Sequence, residues 1–113
     1  WNPSICHGDI HAGNILYSEK NIVYLDPKPT FSDKRLDICN ILSNYAISEM
    51  KTKIQNQILN GYLETECYKL NLKYHYIFSL GEKIALYQAR SNHIARNRII
   101  NEIEEIKEDG NFI

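Results

Sequence analysis

With 113 residues, 43% hydrophobic and 24% charged, the chain is long enough for one folded domain and ordinary in composition for a globular one. A net charge of −1 with no basic block excludes the electrostatic footprint of a nucleic-acid or anionic-membrane binder, and no apolar run approaches the roughly 18 residues of a membrane span. Cys6, Cys39 and Cys67 are odd in number and form no C-x-x-C pair, which fits reduced thiols in a cytoplasmic protein.

In chain order, Ser4 to Cys6 is a short apolar approach to a polar, glycine-punctuated stretch at 7–14. Ile15-Leu16-Tyr17 and Ile22-Val23-Tyr24-Leu25 flank a polar Ser18-Glu19-Lys20-Asn21 segment, which predicts two short strands joined by a turn. Pro27 and Pro29 stop the second strand, because proline has no N–H to give a ladder. Ser32 or Asp33 then reads as the cap of a helix carrying Leu36, Cys39, Ile41, Leu42, Tyr45 and Ala46 at helical spacing. A second helix is expected over 51–63 with Ile54, Ile58 and Leu59 inward, followed by a turn within 64–72. Ile77, Leu80, Ile84 and Tyr87 step along a long third helix. Ile99, Ile100, Ile103 and Ile106 mark a last one, with Gly110 at its stop. The acidic set Glu102, Glu104, Glu105, Glu108 and Asp109 reads as the solvated face of that helix rather than a wall for a cationic substrate. The fold class is therefore α+β and mainly helical, ordered as loop, hairpin and helices.

The chemistry is concentrated in His7-Gly8-Asp9-Ile10-His11-Ala12-Gly13-Asn14, spaced H-x-D-x-x-x-x-N, with Asp26 at the end of the following apolar strand. This is the arrangement of a protein-kinase catalytic loop and its metal-binding aspartate. Phosphoryl transfer needs a carboxylate to orient the attacking hydroxyl and accept its proton. It also needs hard oxygen ligands, here one amide and one carboxylate, to hold Mg²⁺ on the nucleotide phosphates.

The pattern H-G-D-x-H-x-x-N, then an apolar strand ending in Asp, resembles the aminoglycoside phosphotransferase and choline kinase group. The further run Asp26-Pro27-Lys28-Pro29, with Asp33 and Asp37-Ile38 after it, is similar to the streptomycin 6-kinase and hydroxyurea phosphotransferase branch. Ile38-Cys39 stands where that branch has Leu-Ala. The resemblance covers about residues 5–46 and implies a kinase-like C-terminal lobe with a catalytic loop, a hairpin and a helical bundle. It implies Asp9 as the catalytic aspartate, Asn14 and Asp26 as Mg²⁺ ligands, His7 as a brace of the loop near Asp26, and Asp37 as a buried anchor accepting backbone N–H bonds. His11 reads as a loop-positioning residue, and the role of Lys28 is left open between contacting substrate and holding the loop. The implied activity is ATP-dependent phosphorylation of a small-molecule hydroxyl, with a streptomycin-like aminoglycoside as acceptor and Mg²⁺ with ATP as cofactor.

No G-x-G-x-x-G run and no V-A-I-K-like strand occurs, so residues 1–113 are expected to be the C-terminal lobe of a longer kinase, binding ATP poorly and not turning over alone. Apolar surface is expected where the other lobe docks, and a homodimer through that surface is a further expectation. The expected partners are a small-molecule substrate and a nucleotide. Two other readings remain open: a metal-dependent hydrolase using His7, Asp9, His11 and Asp26 around Zn²⁺, and a non-catalytic kinase-like remnant.

Overall fold

Strand-forming residues near the N-terminus pair in two short ladders, and among the described residues every regular element after residue 34 is helical. The structure is a computed structural model that describes the backbone of residues 3–65 and 72–109, and the side chains of 3–61 and 72–109. Strand β1 (Pro3–Cys6) pairs antiparallel with β4 (Thr30–Asp33), and β2 (Ile15–Tyr17) pairs antiparallel with β3 (Ile22–Tyr24). The β2–β3 hairpin matches the apolar runs and the polar turn between them. The β1–β4 ladder was not expected. It makes strand of Ser32 and Asp33, which the sequence placed at a helix cap.

Helix α1 spans Arg35–Asn44, with Lys34 at its cap and no side-chain cap bond there. Asp33 stabilises the start differently: its Oδ1 accepts the Arg35 N–H at 3.0 Å, and its carboxylate holds the Arg35 guanidinium at 2.8 and 2.7 Å. The helix ends at Asn44, so Tyr45 and Ala46 lie in the turn beyond it, although Ala46 still reaches the core. Helix α2 spans Lys51–Thr65, α3 Lys73–Ala89 and α4 His93–Glu108. Asn92 caps α4 by accepting the Ala95 N–H at 3.1 Å, the expected job of a short polar side chain at that position. The predicted turn within 64–72, Cys67 and Gly110 fall at least in part outside the described residues. Among the described residues no helix is long and apolar enough to cross a membrane.

The core lies between α1, α3 and α4, where Cys39, Leu42, Leu72, Tyr76, Leu80 and Ile99 are fully buried. Ile58 and Leu59 of α2 pack against it, as their spacing predicted. Two polar groups enter this core against expectation. Gln55 is buried and donates from Nε2 to Leu42 O at 2.9 Å and to the Tyr76 hydroxyl at 2.8 Å. Glu102, read from sequence as part of a solvated face, is 7% exposed and ion-paired with Lys51 of α2. Glu104, Glu105, Glu108 and Asp109 do face solvent. Helical period assigns Glu102 to the same flank as Ile99 and Ile106, three and four residues away, so burial follows geometry rather than residue type.

Candidate active site

The catalytic-loop segment runs from β1 into a single 3-10 turn at Ala12–Asn14, capped by His11, whose Nδ1 accepts the Gly13 N–H at 3.1 Å. Gly8 adopts φ +90, and a Cβ there would sit 1.9 Å from Lys28 O, so the loop passes Lys28 too closely for any other residue. The two strands of chain at this crossing are tied by the Lys28 N–H donating to His7 O at 2.8 Å.

Asp37, near the start of α1, accepts the N–H of His7 at 2.8 Å and of Gly8 at 3.0 Å, one on each carboxylate oxygen. It is half-buried rather than fully enclosed. His7 accepts the Asp9 N–H on Nδ1 at 3.2 Å and reaches Leu25 O with Nε2 at 2.9 Å, which makes Nε2 the protonated nitrogen. The imidazole thus spans from the loop to the residue before Asp26. Leu25 is also tied from its N–H to Asn14 O at 2.7 Å. These two bonds, with Ile15 paired to Tyr24, bring the end of β3 alongside Asn14.

Asn14 is buried at 6% exposure, and its Nδ2 donates to Asp9 O at 2.9 Å and Asp9 Oδ2 at 3.3 Å. With its amide nitrogen engaged, Oδ1 is left as the free ligand atom. Asp26 is exposed, has no protein partner among the described residues, and holds a left-handed backbone at φ 47. An aspartate tolerates that conformation better than most residues, at a cost of about 1–2 kcal/mol. Two hard oxygen donors with no protein partner among the described residues, on segments tied together by the Leu25–Asn14 bond, are of the kind Mg²⁺ takes, since it binds one or two protein oxygens and fills its sphere with phosphate and water. Asp9 itself has Lys28 Nζ at 3.6 Å and His11 Nε2 at 3.8 Å from Oδ2.

Zinc chemistry has no comparable basis here. Both His7 nitrogens and His11 Nδ1 are engaged with backbone groups, and no cluster of three or more His, Cys, Asp or Glu positioned for a metal occurs among the described residues. Nothing supports the hydrolase alternative.

Beside Asp9 opens a cavity of about 190 Å³, walled by the loop at Gly8–His11 and by polar side chains of α1 and α3. The sequence reading missed these: Asn40, Ser43 and Asn44 on α1, and Ser79, Glu82 and Lys83 on α3. A signal was present, since both sets have the same i, i+3, i+4 spacing and interrupt helices whose other flank is apolar. The two stripes are bonded together, Ser79 Oγ donating to Asn40 Oδ1 at 3.2 Å and Lys83 Nζ to Asn44 Oδ1. Asn44 Nδ2 in turn donates to Ile10 O at 3.3 Å, joining the helices to the loop. Burial pushes the Lys83 ammonium below its ordinary range, while the carboxylates of Asp9 and Glu82 pull it back up and Arg90 lowers it slightly.

A family model described as fructosamine kinase matches residues 1–92, whereas no curated protein and no solved structure matches the chain. The match supports the phosphotransferase resemblance at the level of the protein-kinase-like superfamily and does not reach the streptomycin 6-kinase branch. It spans 92 of the 113 residues, including the loop, the hairpin and the whole cavity wall, and the chain belongs to the fructosamine kinase family.

Proposed function

We propose that the chain carries the catalytic loop and acceptor pocket of an ATP-dependent kinase that phosphorylates a hydroxyl of a sugar amine. The observation that carries this reading is the position of Asp9: it lines the cavity and is bonded to Asn14, whose strand neighbour leads to Asp26. A hydroxyl seated in the cavity meets the Asp9 carboxylate, which orients it for in-line attack and takes its proton as the phosphate bond forms. Asn14 Oδ1 and Asp26 are the groups to hold Mg²⁺, which when bound to ATP neutralises charge on the phosphates. His7 and Asp37 contribute by fixing the loop backbone, so that Asp9 is already aimed before the acceptor arrives.

The cavity is small beside the roughly 300–1,000 Å³ that hold drug-sized ligands. Its size suits a single sugar ring better than a multi-ring aminoglycoside such as streptomycin. Transfer of labelled phosphate from ATP with Mg²⁺ to a fructosamine, by this chain joined to the nucleotide-binding lobe it is expected to need and with streptomycin as the competing acceptor, tests the assignment. Incorporation into the fructosamine that is lost in Asp9→Asn and Asp26→Ala is the expected result. Incorporation into neither acceptor, or incorporation indifferent to Asp9, would overturn it and leave a non-catalytic kinase-like module.

A further inference from the structure

Lys83 is an unusual lining residue for a pocket that must attract a cationic amine. It sits half-buried on α3 beside the cavity, and its ammonium has one hydrogen-bond partner among the described residues, the neutral Asn44 Oδ1. An ammonium has three donors, so two remain for a ligand. Among the described residues no carboxylate lies within ion-pair distance of it, and Asp9 has Lys28 and His11 as its own neighbours. Other charged groups that act on Lys83 are Glu82, which also lines the cavity, and Arg90, about two turns on at the C-cap of α3.

A desolvated cation held in place by Asn44 is preorganised for an anion, because folding has already removed much of its water. Glu82, exposed at the rim, carries the opposite charge one residue away. The cavity thus offers three different groups to one acceptor: a carboxylate at Asp9 for a hydroxyl, a carboxylate at Glu82 for an ammonium, and an ammonium at Lys83 for an anion. A sugar amine built on the amino group of an amino acid has all three complements, since its secondary ammonium is one carbon from a carboxylate.

We propose that Lys83 is a specificity-determining residue that binds the carboxylate of an acceptor formed from a sugar and a free amino acid. The inference rests on the sugar-amine kinase reading, and its experiment separates the two. The protein is titrated by calorimetry with fructosyl-glycine and with the corresponding glycinamide adduct, which differ only in the carboxylate. The acid is expected to bind about tenfold tighter, the worth of one charge-assisted bond in a partly buried site. In Lys83→Gln that ratio falls to near one, and in Lys83→Arg, which keeps the charge, a preference for the acid returns. A purely structural role for Lys83 weakens both ligands together and leaves the ratio unchanged. Equal binding of the two ligands, a preference that survives in Lys83→Gln, or binding of neither overturns the inference. Phosphate transfer measured in parallel on wild type and Asp9→Asn, each joined to the nucleotide-binding lobe, reports the kinase reading by itself. Transfer without acid preference sinks only the role of Lys83, and acid preference without transfer sinks only the kinase.

Discussion

In residues 3–34 only Cys6, Asn14 and Asp33 are buried, and Ile5, Tyr17 and Phe31 are 80%, 79% and 71% exposed. Across the helices, Leu42, Leu72, Tyr76, Leu80 and Ile99 are all within 1% of full burial. The first region carries the candidate catalytic groups and has almost no core of its own. Its loop is held by hydrogen bonds at His7, Asn14 and Asp37, and Asp37 belongs to the helical region. The contrast shows a division of labour: apolar burial makes a rigid helical scaffold, and a few directional bonds aim an otherwise open loop against it.

That division can be broken most sharply at Asp9. Asp9→Asn removes the proton acceptor while leaving an isosteric partner for Asn14, so transfer should fall about 1,000-fold with the urea midpoint unchanged. A lowered midpoint of the same size as a core deletion would show that the loop is part of the stabilising core after all. Leu42→Ala is the converse test. It deletes fully buried methyls and should cost about 3 kcal/mol in urea unfolding, while the folded fraction keeps its turnover. Asp37→Ala lies on the boundary: it strands the N–H groups of His7 and Gly8, for about 2 kcal/mol of stability. Its loss in turnover should nevertheless exceed that of Leu42→Ala at least tenfold, because the two bonds aim the loop. If turnover and stability fall in proportion, the loop is not separately positioned by Asp37.

Smaller effects refine the helical side. Tyr76→Phe removes one of two acceptors for the Gln55 amide and a hydrogen-bond partner of buried Glu102, and should cost about 1–2 kcal/mol by denaturation. Cys39 gives an effect that varies with pH only above the neutral range. Burial pushes its thiol up to about 12 from an ordinary 9.0, so the folded chain holds that proton where the unfolded chain releases it. Its contribution is fully present below about pH 9 and is lost as pH rises towards 12. Unfolding curves of wild type and Cys39→Ala over that range should converge as pH rises. Parallel curves would mean that the thiol ionises freely in the fold.

The candidate catalytic groups could be picked out because they are close in sequence. Asp9 and Asn14 share one loop, and a hairpin whose strands can be read from β-branched runs returns Asp26 to it, so spacing alone encodes their proximity. The helices were legible for the same local reason, through apolar residues recurring at three and four. What sequence left open depends on which segments meet across long separations. The β1–β4 ladder joins Pro3 to Asp33, and neither exposed strand has an alternating pattern strong enough to announce its partner. Glu102 looked like surface until α2 brought Lys51 against it. The stripes Asn40–Asn44 and Ser79–Lys83 could have been solvated faces, and only the packing of α1 on α3 turned them inward to wall a cavity beside Asp9. Residue type and period determine which side of a helix is polar; the angle and register at which two helices pack decide whether that side meets water, a neighbour or a substrate.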